Sequence, residues 1–233
     1  MDAEIINQRK KQLIINSIGA LHLNKYLLLW KKYAYALLTL IFIIGLFDSR
    51  IFLIFIFCML GPFVLGLFNG RFWCGNICPI GNFFDHVVLK ISKNRRAPNF
   101  FKAKWFKILT LLIMFTMFII EIFAAKGNLF GYGKVFYRMI IESIVIGAFL
   151  SLFYNNRTWC HFCPMGSMGA LIAQFRKNRK LLNISSACVN CKACEKKCPM
   201  GITPYNYRGR AIDNPNCIQC KTCCDACEFK SII

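Results

Sequence analysis

The chain has 233 residues, of which 57% are hydrophobic, and it carries a formal net charge of +20 at pH 7. Soluble domains are usually about 45–50% apolar, so this composition argues against an ordinary soluble enzyme. A basic chain can bind nucleic acid. Here, however, the charge lies between long apolar runs, so we expect a membrane protein with lipid, and no nucleic acid, among its partners.

Residues 1–32 are predicted to form a basic, amphipathic N-terminal segment. Its apolar residues are interspersed with polar and basic ones, which is typical of a helix lying on a membrane surface. They include Leu13, Ile14, Ile18, Leu21 and Leu28. The alternative is a simple lead-in to the first transmembrane helix. The segment lacks a short apolar core followed by a small-residue cleavage site, so we expect no cleaved signal peptide.

Four apolar runs follow this segment. They lie at about residues 33–47, 51–68, 106–125 and 135–154. A helix needs roughly 20 residues to cross a bilayer, and Lys31 and Lys32 can extend the short first run by reaching toward the surface. Buried helices of a soluble protein are the alternative, but the chain has too little polar surface to cover four of them. We therefore predict a mostly α-helical membrane protein, in which residues 33–180 form four transmembrane helices as two tandem hairpins.

Lys and Arg are distributed unevenly among the connecting segments. They are frequent in residues 1–32, 69–104 and 155–233, whereas the two other connectors contain only Arg50, Lys126 and Lys134. Cytoplasmic loops carry the excess of Lys and Arg. We therefore predict a multi-pass protein of the cytoplasmic membrane with both termini and the C-terminal domain in the cytoplasm.

Each predicted hairpin ends in a copy of the same motif. Residues 69–74 read Asn-Gly-Arg-Phe-Trp-Cys, and residues 155–160 read Asn-Asn-Arg-Thr-Trp-Cys. After a short gap, both copies continue with Cys-Pro-x-Gly. Proline restricts the preceding cysteine to extended geometry, and we expect the glycine to permit backbone turns closed to other residues.

The duplicated motifs supply two cysteine pairs, Cys74 with Cys78 and Cys160 with Cys163. The second pair has one intervening residue fewer. If a pseudo-twofold axis relates the copies, the four thiols could converge on one site, where a nearby arginine could neutralise a thiolate. A third metal centre, a redox-active dithiol and a structural turn with buried thiols all fit this pattern.

Residues 181–233 contain two cysteine runs. The first is Cys188-x-x-Cys191-x-x-Cys194-x-x-x-Cys198-Pro199, and the second is Cys217-x-x-Cys220-x-x-Cys223-x-x-x-Cys227. Ferredoxins hold two [4Fe–4S] clusters with this spacing, and the fourth cysteine of each run binds the other cluster. Zinc is the alternative, but zinc sites usually pair two separated knuckles.

We therefore predict a small α+β domain of the bacterial ferredoxin type with two [4Fe–4S] clusters. The first cluster is assigned to Cys188, Cys191, Cys194 and Cys227, and the second to Cys217, Cys220, Cys223 and Cys198. A domain of this size has little core of its own, so the clusters are expected to contribute much of its folding energy.

Tandem hairpins that each end in a Trp-Cys and Cys-Pro motif, followed by a two-cluster ferredoxin domain, resemble the NapH/NosR/YccM-type polyferredoxin membrane proteins. The resemblance covers about residues 33–233. It implies an electron-transfer subunit linked to quinol oxidation, similar to a quinol dehydrogenase subunit rather than a stand-alone enzyme. It also implies that Cys74, Cys78, Cys160 and Cys163 match the family's membrane-surface motifs.

We expect electrons to pass between the quinone pool and a redox partner through the two clusters. Basic loops beside the ferredoxin domain favour an acidic partner, such as a flavodoxin or another ferredoxin. Two alternatives stay open. One is a metal reduction or assembly factor that handles copper for a respiratory metalloenzyme, since soft thiol ligands suit Cu(I). The other is a redox sensor that signals through cluster loss.

Three ionisable residues, Glu121, Arg138 and Glu142, fall inside predicted transmembrane helices. Charged groups are costly in lipid and are therefore candidates for function. They could take up protons from a quinol or could simply pair with one another. We favour pairing, because Arg138 and Glu142 are four residues apart on one helix.

Overall fold

The computed structural model describes residues 26–175 and 181–232. Most of the predicted N-terminal segment, residues 1–25, lies outside the described residues, as does the basic junction at residues 176–180.

The described chain is mostly helical. In chain order, its α-helices are α1 (Tyr26–Gly45), α2 (Phe55–Asn69), α3 (Phe72–Asn76), α4 (Pro79–His86), α5 (Asn99–Lys102), α6 (Lys104–Ala124), α7 (Leu129–Phe153), α8 (Pro164–Phe175), α9 (Ala193–Lys197) and α10 (Thr222–Asp225). Short 3₁₀ helices lie at Ser49–Ile54, Val88–Lys90, Trp159–His161 and Pro204–Tyr207.

Four helical segments are long and apolar enough to cross a membrane. They are α1, the continuous stretch Ser49–Asn69 that ends in α2, α6 and α7, with 20, 21, 21 and 25 residues. At about 1.5 Å per residue, each matches the roughly 30 Å of a bilayer's hydrocarbon core. The prediction of four apolar helices of spanning length is confirmed. The first begins earlier than expected, because residues 26–32 already belong to α1.

The outer surface of these helices is strongly apolar. In α6, none of the 21 residues is buried within the described part of the chain, and Phe123 is 80% exposed. Such a surface is unfavourable in water but suits lipid. The helices therefore have the outward-facing side chains that a membrane protein requires.

The helix that follows each motif packs on a long helix of the other hairpin. Helix α8 follows the second motif but packs on α2, where Gly66 and Gly169 bring the two backbones close together. Helix α4 follows the first motif but packs on α7, where the ring of Phe84 occupies the space that Gly147 leaves free. This packing brings both motifs together in one helical unit, residues 26–175, which we call the helical base.

The ferredoxin-type region contains less β-structure than expected. Among the described residues it has no regular strand, only two isolated antiparallel bridges, Asn183 with Ala211 and Ile184 with Ile232. Its apolar residues do not form a separate core: Met200 and Ile218 belong to the same buried cluster as Trp159 of the second motif. The α+β expectation is therefore not confirmed, because this region packs on the helical base instead of building its own sheet.

Three ionisable residues of the long helices form one charge cluster. Arg138 of α7 pairs with Glu121 of α6 at 3.0 Å and with Glu142 of α7 at 2.9 Å. The predicted pairing is confirmed. One cation thus bridges the two helices of the second hairpin.

Replacing Arg138 by methionine is expected to lower the melting temperature of the protein in lipid vesicles. The substitution leaves Glu121 and Glu142 as two neighbouring carboxylates without a counter-ion in an apolar environment. The triple variant E121Q/R138M/E142Q removes all three charges and should recover most of the loss. A single variant as stable as the triple variant would argue against the bridge.

Candidate functional site

In each motif, the second cysteine directly precedes a helix. Cys78 has extended geometry, with φ −56° and ψ 118°, and Pro79 begins α4. Pro164, after Cys163, begins α8 in the same way. Proline suits the first helical position because it has no N–H to leave unpaired and its φ is fixed. The Cys-Pro pairs thus set where these two helices start.

The two cysteine pairs meet in one cavity. Cys74, Cys78, Cys160 and Cys163 all line a space of about 90 Å³, which we call the base cavity. Its remaining walls are mainly apolar side chains of α2, α6 and α7, among them Met114. The fold therefore brings four thiols together in an environment with little water.

Two buried arginines connect the motifs crosswise. Arg71 and Arg157 are 2% and 1% exposed. Arg157 Nη1 donates to the carbonyl of Cys74 at 2.8 Å, and Arg71 Nη2 donates to the carbonyl of Cys160. Each repeat thus fixes the backbone of the other repeat's first cysteine.

The glycines of the Cys-Pro-x-Gly motifs make room for these arginines. A Cβ at Gly81 would lie 2.5 Å from Arg157 Nη1, and a Cβ at Gly166 would overlap Arg71 Nη2. Both glycines lie in helices, and neither has positive φ. The expected role in a backbone turn is therefore wrong, because what these glycines provide is space.

The two arginines differ in how their charge is balanced. Asp85 accepts from Arg157 Nε at 2.8 Å and from Nη2 at 2.5 Å, and it also accepts from Asn156 at 2.8 Å. Counted from the motif proline, the position of Asp85 in the second repeat is Ala170. Arg71 Nε and Nη1 have no hydrogen-bond partner among the described residues, so within this part of the chain one buried guanidinium has a carboxylate partner and the other has none.

The sequence interpretation missed Asp85 and Asn156. A signal was available for the first, because Asp85 is the only acidic residue in the basic loop 69–104. An isolated carboxylate among many cations is a candidate partner for one of them. Nothing in the spacing indicated which arginine it would meet.

Three of the motif thiols in the base cavity, those of Cys78, Cys160 and Cys163, have raised pKa values. Burial raises the pKa of Cys163 to about 12 and raises the pKa of Cys78. Burial also raises the pKa of Cys160, although Arg157, whose Nη1 lies 3.7 Å from the sulfur, opposes the shift. A redox-active dithiol needs a thiolate, so these values argue against that alternative. Metal binding would displace the protons and form thiolates.

Two smaller cavities, each of about 20 Å³, lie in the ferredoxin-type region. One is lined by Cys198, Cys217, Cys220 and Cys223, and the other by Cys188, Cys191, Cys194 and Cys227. The structure thus groups the eight cysteines into the two sets that the spacing suggests. In each set, the fourth cysteine comes from the other run.

The loops around these cavities have the backbone shape of anion-binding nests. Asn190 and Lys192 of the first run have φ of 56° and 62°, and Gln219 and Lys221 of the second have φ of 52° and 65°. Left-handed residues in such turns direct successive N–H groups into a concavity, as in many iron–sulfur sites. The backbone therefore fits a group of negative charge at both places.

Backbone N–H groups also reach the crossing cysteines. Ile202 N donates to Cys198 Sγ and Ser231 N donates to Cys227 Sγ, both at 3.4 Å. Hydrogen bonds to cluster sulfurs are one of the ways in which proteins set cluster potentials. In residues 26–175 and 181–232, no three His, Cys, Asp or Glu side chains are placed to hold a single metal ion.

An asparagine side chain of each motif donates a hydrogen bond to a loop that lines the cavity of Cys198, Cys217, Cys220 and Cys223, which we call the second-run cavity. Asn76, two residues after Cys74, donates to the carbonyl of Gln219 at 3.2 Å. Asn155, at the start of the second motif, donates to the carbonyl of Pro199 at 2.7 Å. Both motifs therefore touch the loops that carry the cysteines of the same ferredoxin-type cavity.

Replacing Gly75 by alanine is expected to push the loop that contains Ile218 and Cys220 away from the helical base. A Cβ at Gly75 would overlap the carbonyl oxygen of Ile218 and lie 3.2 Å from the amide of Cys220. Because both neighbours are backbone atoms, the loop must move. We expect faster proteolysis of residues 181–233 and a lower melting temperature.

Gly66→Ala is the matched control for this change. Gly66 also lies at a close helix contact, but its Cβ would meet Gly169 at 3.5 Å, an ordinary van der Waals distance. Limited proteolysis of both variants checks the prediction, which fails if G75A is protected as well as G66A.

Comparison with known proteins finds a similarity to an iron–sulfur protein family in both repeats of the helical base. The sequence model of a family described as "4Fe-4S binding domain" matches residues 51–98 and 138–181. Each matched range contains one copy of the motif with one cysteine pair. Both end before Cys188, so the match covers the base cavity and not the two ferredoxin-type runs.

The chain is also similar to individual proteins, two of which are described as ferredoxin-type. The chain is 28% identical to an uncharacterized protein of Methanocaldococcus jannaschii over 71% of its own length and 64% of the relative's. It is 27% identical to the methylamine utilization ferredoxin-type protein MauN of Methylobacillus flagellatus, over 57% of its length and 50% of the relative's. It is 28% identical to MauN of Methylorubrum extorquens, over 63% of its length and 55% of the relative's.

The chain thus spans less than two thirds of the length of each of these three relatives. No solved structure matches it. The family match and the ferredoxin-type relatives support a ferredoxin-like 4Fe–4S protein.

Proposed function

We propose that this chain is a membrane-embedded iron–sulfur protein that relays single electrons between the quinone pool and a redox partner. The observation that carries the proposal is the hydrogen bond from Asn76 of the first motif to the carbonyl of Gln219, which lines the second-run cavity, at 3.2 Å. The four motif cysteines and the two ferredoxin-type sets line three cavities in these adjoining parts of the fold.

Two [4Fe–4S] clusters belong, in this proposal, to the two ferredoxin-type cavities. Such clusters accept and release one electron at a time, at potentials that depend on charge, hydrogen bonds and exposure. The protein's part is to supply the thiolates, the inward N–H groups and the N–H···S bonds from Ile202 and Ser231. The ligand sets are those given by the spacing.

The base cavity is proposed to hold a third centre, a 4Fe–4S cluster with Cys74, Cys78, Cys160 and Cys163 as ligands. The family match, whose two ranges each contain one motif, supports it. So does the guanidinium of Arg71, which lines the cavity and has no partner for Nε and Nη1 among the described residues, because a cluster with four thiolates is negatively charged. The raised thiol pKa values mean that loading this site releases protons and becomes less favourable as pH falls.

The quinone and the partner are assigned by resemblance to the NapH/NosR/YccM-type proteins, whose members are linked to quinol oxidation. Four apolar helices of spanning length support a location in the bilayer, where a quinone dissolves. We propose a cytoplasmic location for the ferredoxin-type region, where its lysines and arginines favour an acidic redox partner.

Anaerobic purification with iron analysis and electron paramagnetic resonance tests the proposal. Three four-iron clusters require about 12 iron atoms per chain, and two require about 8. A water-soluble quinone analogue should reoxidise the dithionite-reduced protein within seconds. A C74S/C160S variant should lose one centre and the reaction with quinone but keep both ferredoxin-type signals.

Two results would contradict the relay. One is a colourless anaerobic protein without a paramagnetic signal after reduction. The other is an iron-loaded protein that no quinone reoxidises and that instead binds stoichiometric copper at the base cysteines, which would favour an assembly factor.

A further inference from the structure

A further cavity, of about 150 Å³, lies between α6, α8 and the segment at Pro215 and Asn216. It meets all three parts of the fold: a long apolar helix, the helix after the second motif and the ferredoxin-type region. None of the roles proposed above uses it.

The polar part of this cavity is cationic. Lys102, Lys104 and Lys107 line it, and none of the described residues that line it is acidic. Lys107 Nζ donates to Asn216 Oδ1 at 2.6 Å, a neutral partner that leaves its charge uncompensated. Like charges repel, so three lysines around one cavity favour an anion between them.

A buried hydroxyl adds an unused hydrogen-bonding group. Ser167 of α8 lines the same cavity, is 2% exposed, and its Oγ has no hydrogen-bond partner in residues 26–175 and 181–232. Buried polar atoms are rarely left unpaired in proteins. Ser167 is thus available to donate to an acceptor that enters the cavity.

The pseudo-symmetry supports the same conclusion. Ala170, which also lines the cavity, occupies the position that holds Asp85 in the first repeat. At this position the first repeat has a carboxylate, Asp85, and the second repeat has none, because Ala170 replaces it.

The other part of the cavity is apolar and continues toward the lipid-facing surface. Ile108 of α6 and Leu171 of α8 line it and are 46% and 39% exposed. Trp105, in the first turn of α6, is 56% exposed, and tryptophan is enriched at the level of lipid headgroups. An inorganic anion would satisfy the lysines but would leave these apolar walls uncovered.

We propose that this cavity binds the phosphate headgroup of one anionic phospholipid, with its acyl chains along α6 and α8. Basic pockets between membrane helices on the cytoplasmic side are typical of such sites. The lipid would contact both the helical base and the segment at Asn216, and so would fasten the ferredoxin-type region to the membrane. The site requires the chain to span a membrane, but not the proposed electron transfer.

Native mass spectrometry of the full, iron-loaded chain in detergent tests the site. Phosphatidylglycerol and phosphatidylcholine are offered together, and the lipids retained per chain are counted. The wild type is expected to retain one phosphatidylglycerol in preference to phosphatidylcholine. K102Q/K107Q should weaken this retention about thirtyfold, because each lysine near an anionic headgroup contributes on the order of 1 kcal/mol.

Two further variants keep the test decisive. A170D places a carboxylate in the cavity and should also abolish the preference, even if the double lysine variant folds poorly. K90Q/K93Q removes the same charge from lysines that do not line the cavity and should retain lipid as the wild type does. Iron content serves as the folding check.

Equal retention in the wild type, A170D and K90Q/K93Q would overturn the proposal. So would release of the bound phosphatidylglycerol by millimolar inorganic phosphate, which would identify a site for the free anion. Because the measurement does not involve quinone or electron transfer, its failure is distinguishable from a failure of the proposed relay.

Discussion

Replacing Asp85 by asparagine is expected to destabilise the protein by about 3 kcal/mol, which corresponds to roughly 6–12 °C in melting temperature for a chain of this size. Asp85 is the charge partner of Arg157, which is 1% exposed. Removing one partner of a buried pair leaves the other charge uncompensated and typically costs 3–5 kcal/mol. We expect the lower end, because the Asp85 side chain is 35% exposed and partly screened by solvent.

The effect should extend beyond a single ion pair. Arg157 also donates to the carbonyl of Cys74 at 2.8 Å, so a displaced guanidinium releases the first motif from the second. If the base cavity holds the proposed centre, D85N should lose iron from that centre before the ferredoxin-type signals decline. Thermal unfolding followed by near-ultraviolet circular dichroism, together with iron analysis, measures both effects.

Asp48→Asn is the matched control. Asp48 accepts from the amide of Arg50 at 2.9 Å and caps the 3₁₀ helix Ser49–Ile54. Asparagine caps about as well as aspartate, so this change should cost at most about 0.3 kcal/mol. Equal losses in D85N and D48N would show that the carboxylate charge at Asp85 has no special role.

The long helices could be predicted from sequence because their signal is local. A run of about 20 apolar residues has few alternatives to a membrane span, and four such runs appear as helices of 20 to 25 residues. The grouping of the eight ferredoxin-type cysteines is also suggested by spacing alone. A tight loop brings three thiols together, and the fourth can only reach the neighbouring group.

The packing of the base could not be predicted in the same way. That α8 packs on α2, and α4 on α7, depends on which hairpin surfaces meet, and neither helix carries a mark of its partner. The pattern Cys-Pro-x-Gly indicated a special backbone at the glycine. Only the fold shows that the glycine leaves space for an arginine from the other repeat. The expected strands are limited to two bridges because the base, rather than a sheet, covers the ferredoxin-type core.

The two repeats are similar in sequence but not equivalent in charge. Among the described residues, Arg71 of the first motif is unpaired at Nε and Nη1, while the second motif's arginine has Asp85. An uncompensated buried cation is costly. The negatively charged centre proposed for the base cavity would supply the missing charge, and Arg71 would then affect how readily that centre accepts an electron.

Arg71→Met is therefore expected to lower the reduction potential of the proposed base-cavity centre by on the order of 100 mV. Reduction adds negative charge, which a buried cation stabilises, so removal of the cation makes reduction less favourable. Redox titration followed by electron paramagnetic resonance measures the shift, with the cluster assigned to Cys188, Cys191, Cys194 and Cys227 as an internal reference. Lysine keeps the charge but loses the planar fork, so R71K should shift the potential by less than R71M.

Arg50→Met removes an arginine from the 3₁₀ helix Ser49–Ile54, away from the base cavity, and should leave all potentials unchanged. If R71M and R50M give the same potentials, the guanidinium of Arg71 does not act on a centre in the base cavity. If instead R71M alone shifts one signal and leaves the reference in place, the unpaired charge and the four thiols belong to one redox site. The asymmetry between the repeats would then be a means of setting its potential.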